Sequence, residues 1–115
     1  MLEPVIHVLL FFAALLSTPE VRTTHYGPSY NDQQMGCNGS GVYRSENPVI
    51  IAAGYDTPFE CGDVVLVSGP HGAFIGFVVD RCPGCGTGID LSEAGMLIAC
   101  GRGGVCYTRA VVWYR

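Results

Sequence analysis

Sixteen glycines and seven prolines are spread through the chain, and short runs rich in Val, Ile, Phe and Tyr lie between them. Such dense punctuation leaves little room for long helices, because Gly weakens a helix interior and Pro breaks it. Short apolar runs bounded by turn residues are instead the pattern of an all-β sandwich or small barrel. The pattern predicts strands at Val21 to Tyr26, Val49 to Ala53, Val64 to Val67, Ala73 to Val79 and Thr108 to Tyr114, with loops at Gly27 to Ser45 and Gly101 to Gly104. Val64 to Val79 reads as a hairpin turned at Ser68-Gly69-Pro70-His71-Gly72. In the last strand, alternation sets Tyr107, Arg109, Val111, Trp113 and Arg115 on one face and Thr108, Ala110, Val112 and Tyr114 on the other. One helix is expected, Ser92 to Ala99, with Glu93 in its first turn, where a negative charge favours the positive end of the dipole.

Val5 to Leu16 is an apolar run of signal-peptide length, too short to span a bilayer. Residues 1–17 are therefore expected to be a signal peptide and residues 18–115 a single secreted domain, extracellular or periplasmic, without a stable membrane span. Against this stand Glu3, the lack of Lys or Arg before the run, and the lack of an A-x-A site before Ser17-Thr18-Pro19. All six cysteines, Cys37, Cys61, Cys82, Cys85, Cys100 and Cys106, lie beyond this segment, an even number that favours three disulfides in an oxidising compartment. Net charge is −4 and lysine is absent, so no basic cluster offers a nucleic-acid footprint. Neutral or weakly charged ligands such as polysaccharides fit this balance better, and a monomer is expected.

Val79 to Ser92 gathers Asp80, Asp90, Cys82 and Cys85 around a Gly-rich turn and a helix start. A predicted strand runs out at Asp80, and Asp90 sits between Ile89 and Leu91 at an element boundary. A carboxyl so flanked is partly desolvated, which raises its pKa and suits a general acid. Asp80, following a buried strand, also fits a structural role as an acceptor for loop N–H groups or a partner of Arg81. The Cys82-Pro83-Gly84-Cys85 motif lacks the immediate helix N-terminus of a redox pair. Cys100 and Cys106 are spaced too widely for the second half of a zinc site, so structural disulfides are the favoured reading and no metal or cofactor is expected. Among four cysteines three pairings remain open. His71 belongs to a solvated turn, whereas His25, ending the first strand, is a candidate site residue. Asn38-Gly39-Ser40 matches the N-glycosylation pattern. Tyr26, Tyr30, Tyr43, Tyr55, Trp113 and Tyr114 offer rings that stack on sugars or fill the core.

From Thr23 to Arg115 the chain resembles the RlpA-like double-psi β-barrel superfamily, which includes expansin first domains, plant natriuretic-peptide-like proteins, barwin-like proteins and bacterial RlpA. Thr24-His25-Tyr26-Gly27 is similar to its opening T-x-Y-G, Met35-Gly36-Cys37 to its A-C-G segment, and Ile51-Ala52-Ala53 to its I-A-A strand. Cys61-Gly62-Asp63-Val64-Val65-Leu66-Val67 resembles C-G-x-x-x-x-V, Val78 to Pro83 resembles V-x-D-x-C-P, Ile89-Asp90-Leu91-Ser92 matches I-D-L-S, and Val111-Val112-Trp113 is similar to the closing strand. The resemblance implies an all-β, six-stranded double-psi β-barrel with one short helix, stapled by disulfides that include Cys37 to Cys61, and with an open groove centred on Asp90. It also implies either lytic transglycosylase-like cleavage of peptidoglycan or a related β-glycan, or non-catalytic binding of a glycan or protein of the expansin or natriuretic-peptide-like type.

In the cleaving case Asp90 is the acid and Asp80 its support. His25, Tyr26 and Tyr55 are the candidate substrate-binding residues. Hydrolysis normally takes two carboxylates, whereas a lytic transglycosylase takes one acid and uses the sugar's own hydroxyl. The chain departs from its relatives at three places. Gly54-Tyr55-Asp56 stands where RlpA enzymes usually carry a His, Gly27 where family-45 endoglucanases place an Asp, and Arg81-Cys82-Pro83-Gly84-Cys85 where RlpA has Arg-Gly-Pro-Phe. Hydrolysis is accordingly disfavoured.

Overall fold

The computed structural model describes residues 3–115. A helix α1 (Glu3–Ser17) precedes six strands, β1 (Val21–Tyr26), β2 (Ile50–Gly54), β3 (Val64–Ser68), β4 (Ala73–Cys82), β5 (Ile89–Ser92) and β6 (Cys106–Tyr114). A second helix, α2 (Glu93–Cys100), links β5 to β6. The strands close into a barrel in the order β1-β5-β2-β4-β3-β6, in which β1/β5 and β2/β4 are parallel pairs and the other four contacts are antiparallel. Closure pairs every strand on both sides, leaving no open sheet edge.

Burial follows the residue pattern. In β3, Val65 and Val67 point inward while Val64, Leu66 and Ser68 point outward. β6 places Cys106, Thr108 and Ala110 inside, as alternation requires, and its outer face carries Tyr107, Arg109 and Val111. Beyond a register irregularity opposite Val64 and Val65 the alternation fails, and Trp113 and Tyr114 are both exposed. β2 is buried along its whole length, so Ile50 to Gly54 carries small and apolar residues on both faces. The hydroxyls of Thr23 and Thr108 are buried opposite each other and satisfy one another at 2.8 Å.

Two strand assignments differ from the sequence expectation. β4 does not end at Asp80 but runs on to Cys82, because Asp80, Arg81 and Cys82 stay paired with Ala52, Ala53 and Gly54 of β2. Ile89 to Ser92 is a strand in its own right, wedged between β1 and β2. Within the expected loop at Gly27 to Ser45, a 3-10 turn (Pro28–Tyr30) is followed by a narrow excursion pinned by a Gln34 to Val42 bridge. Ser92 caps α2, its hydroxyl accepting from Gly95 N at 3.1 Å and donating to Asn47 O at 2.6 Å. Gly101 ends the helix in the left-handed region at φ 73°.

Three disulfides staple the barrel. Cys37–Cys61 ties the excursion to the turn before β3, Cys82–Cys85 closes the turn after β4, and Cys100–Cys106 closes the connection from α2 to β6. The C-terminal end of α1 lies on β6, where Leu15 is buried and the Arg109 guanidinium donates to the carbonyls of Leu16 and Thr18. Among the described residues no helix is long and apolar enough to cross a membrane.

Candidate functional site

Four adjacent strands place one row of side chains across the floor of an open groove. Thr24 pairs with Asp90, Asp90 with Ala52, and Ala52 with Asp80, so the row reads Thr24–Asp90–Ala52–Asp80 over β1, β5, β2 and β4. The groove encloses about 490 Å³. One wall is formed by Tyr26, Gly27, Tyr30, Gln33 and Gln34, with Tyr43 behind, and the opposite rim by Arg81, Cys82 and Pro83. Only the methyl group of Ala52 stands between the two acids in this row, which keeps the floor open.

The two carboxylates have different surroundings. Both oxygens of Asp80 are occupied: Gly36 N donates to Oδ1 at 2.6 Å, Arg81 N to the same oxygen at 2.9 Å, and the Tyr26 hydroxyl to Oδ2 at 3.2 Å. The bond from Gly36 N joins the excursion to β4 through Asp80. The Arg81 side chain turns away from it and donates to Phe59 O at 2.9 Å and Gly54 O at 3.3 Å. Asp90 accepts one short bond at Oδ1, from the Thr24 hydroxyl at 2.8 Å. Its neighbours Ile89 and Leu91 are fully buried, and burial pushes its pKa above the ordinary carboxylate value. The Thr24 bond and the His25 side chain pull it back down, and the charge of Asp80 adds to the rise.

Tyrosines build the wall. Tyr26 stacks on the buried Tyr43 at 3.9 Å between ring centroids, and the Tyr43 hydroxyl donates to the Tyr26 carbonyl. Burial, chiefly, pushes the Tyr43 phenol up to about 12. Burial and then the neighbouring Asp80 carboxylate raise that of Tyr26, so Tyr26 stays a neutral donor at physiological pH.

The expected site residues are not all gathered here. Asp80, Asp90, His25 and Tyr26 border the groove, but Tyr55 stands outside it, exposed beyond the end of β2 with the Arg81 guanidinium 5.0 Å from its ring centroid. His25 follows Thr24 in β1, and alternation turns its side chain away from the row that Thr24 and Tyr26 share. Its ring packs against Gly103, where an added Cβ would come within 3.1 Å of Cε1, and its buried Nδ1 has no hydrogen-bond partner. Period-two alternation in Thr24-His25-Tyr26 was the available signal for Thr24, which the sequence reading passed over. Gln33 and Gln34 had no signal, because only the bridge to Val42 brings them to the wall. Among the described residues no cluster of His, Cys, Asp and Glu could hold a metal.

The region of Gly54 accounts for one departure from the family pattern. Gly54 N donates to Gly88 O at 3.0 Å, and a Cβ at position 54 would lie 2.1 Å from the carbonyl oxygen of Gly86. The backbone of Gly86 to Gly88, between the Cys82–Cys85 turn and β5, therefore occupies the space into which a side chain at position 54 would extend.

The strand order and the acid-bearing floor define a double-psi β-barrel. No family model and no curated protein sequence matches the chain. Among solved structures, an expansin variant from Clavibacter michiganensis in complex with cellohexaose is 25% identical, with a TM-score of 0.60, over 83% of this chain and 50% of that one. The same expansin without ligand is 27% identical at the same TM-score and coverage. A Streptomyces papain inhibitor, 22% identical with a TM-score of 0.55 over 83% of this chain and 94% of its own, shares the fold. The chain spans about half the length of the expansin chains it matches. Its closed barrel and the order of its motifs are similar to the RlpA-like double-psi β-barrel superfamily, and its structural neighbours include an expansin.

Proposed function

We propose that the chain is an expansin-like domain that engages cell-wall polysaccharide in the groove, with Asp90 as the central polar residue of its floor. The observation that carries this reading is the row Thr24–Asp90–Ala52–Asp80, which sets one incompletely bonded carboxylate in an open groove walled by tyrosines. Support comes from the expansin neighbour that was solved with cellohexaose. Among the described residues that line the groove the one arginine, Arg81, is committed to two backbone carbonyls, so no free guanidinium faces an anionic polymer. Three disulfides in a small barrel accord with an extracellular or periplasmic compartment, and a monomer with residues 1–17 as a cleaved leader is part of the same proposal. Isothermal titration with cellohexaose, and pull-down on insoluble cellulose, chitin and peptidoglycan, test this proposal. Saturable binding that Asp90→Asn weakens is expected, and failure to bind any of these glycans contradicts it.

A second reading, lytic transglycosylase-like cleavage, is favoured by the raised pKa of Asp90. An acid that holds its proton more tightly than an ordinary carboxyl can pass it to the departing glycosidic oxygen, and the carboxylate so formed can take up the proton of the same sugar's hydroxyl as that hydroxyl bonds to the anomeric carbon and closes the anhydro ring. Asp80, with both oxygens bonded, is not free to act as the base that hydrolysis needs. Release of anhydro-sugars from purified sacculi by wild type, and none by Asp90→Asn, is the expected outcome. Equal release by both removes Asp90 from the chemistry.

A further inference from the structure

We propose that Tyr30, Gln33 and Gln34 form a stacking subsite on the groove wall for the flat face of an uncharged pyranose, a role that rests on reading the groove as a glycan site. Tyr30 is 47% exposed and ends the 3-10 turn, so its ring borders the groove without being part of the core.

The ring is held from behind. Tyr26 meets it edge-on at 5.9 Å and 64°, and Tyr26 in turn stacks on buried Tyr43. An exposed aromatic supported in this way is pre-organised, and little side-chain freedom is lost when a ligand packs on it.

The excursion that presents the two glutamines is built with equal care. Asp32 adopts φ 73°, the only non-glycine residue in the left-handed region among those described. That bend lets Asp32 N donate to Tyr43 O at 3.0 Å and Tyr43 N donate to Gln33 O at 2.8 Å. An ion pair from Arg44 to Asp32 at 2.8 Å and a bond from Ser45 N to Asn31 Oδ1 at 2.8 Å close the base of the excursion.

The result is one flat apolar ring beside two exposed primary amides, which both donate and accept. A pyranose offers the complement, with axial C–H groups over the ring and hydroxyls around its edge. Charge selects among sugars as well: among the described residues the ionisable side chains that face the groove are Asp80, Asp90, Arg81 and the tyrosines, with Arg81 already engaged and the His25 ring packed against Gly103, so a uronate meets carboxylates without a free guanidinium to pair with.

The test is calorimetric titration of wild type, Tyr30→Ala, Tyr30→Phe and Gln33→Ala/Gln34→Ala with cellohexaose and with an oligogalacturonate, alongside thermal melts. Tyr30→Ala is expected to weaken cellohexaose binding about tenfold, as loss of one stacked ring implies, and Tyr30→Phe to stay within about twofold. The double glutamine variant should lose about fivefold, oligogalacturonate should bind at least about tenfold more weakly than cellohexaose, and melting temperatures should not move. Wild-type affinity in Tyr30→Ala, an equal loss in Tyr30→Phe, or equal affinity for the charged oligomer overturns the subsite. If Asp90→Asn still weakens binding in that case, the groove reading stands alone. If wild type binds no glycan, both readings fall.

Discussion

Asp80 and Asp90 face the same groove across Ala52, yet their neighbours have given them different tasks. Removing the Asp80 carboxyl orphans three donors, so Asp80→Ala is expected to cost about 2–4 kcal/mol and to weaken ligand binding with it. Chemical denaturation checks this, and a loss of binding at unchanged stability would assign Asp80 to ligand contact instead. Asp90 behaves in the opposite way. Its pKa is raised in the folded state, so the fold holds that proton more tightly than the unfolded chain does. The stability this lends is present below the unfolded-state pKa and is lost as pH rises through the folded value. Asp90→Asn is therefore expected to flatten stability against pH across that window and to leave the protein at least as stable as wild type at neutral pH. Melts between mildly acidic and neutral pH test this, and a less stable variant at neutral pH contradicts it.

At the scale of elements, the readable parts of the sequence were those with a repeating period. β1 and β3 emerged from short β-rich runs, and the β3–β4 hairpin from its Ser68 to Gly72 turn. The end of β4 was not readable, because Asp80 and Arg81 look like loop residues until the Gly36 N–H and the carbonyls of Gly54 and Phe59 are in place to satisfy them. β5 was hidden by its length of four residues and its direct passage into α2. The groove wall depends on long-range pairing through Tyr43, which no local pattern announces. Disulfides divide by the same logic. Cys82–Cys85 spans a separation of 3 residues and Cys37–Cys61 one of 24, so chain entropy assigns the longer loop about 1–2 kcal/mol more stabilisation. Replacing each pair by alanine should lower the melting temperature more for Cys37/Cys61. The Cys82/Cys85 variant should lose ligand affinity with the smaller loss of stability, about 2 kcal/mol, because Cys82 and Pro83 form the groove rim. Gly54→Ala should be costlier than ordinary overpacking, above about 1–3 kcal/mol, since its Cβ meets the backbone oxygen of Gly86 rather than a mobile side chain.

Over the whole molecule the barrel presents two unlike surfaces. The groove is polar at its floor and aromatic at its wall, whereas the outer face of β3, β4 and β6 carries Ile75, Phe77 and Trp113, 41%, 43% and 50% exposed. A ligand could in principle contact either surface, and the proposed function commits to the groove. The most direct measurement is a titration of isotopically labelled protein with cellohexaose, following backbone amide shifts by NMR. The expected result is saturable shifts concentrated at Thr24, Asp90, Ala52, Asp80 and the 26–34 wall, all weakened in Asp90→Asn. Shifts confined to Ile75, Phe77 and Trp113, or no shifts at all, would contradict the groove as the glycan site.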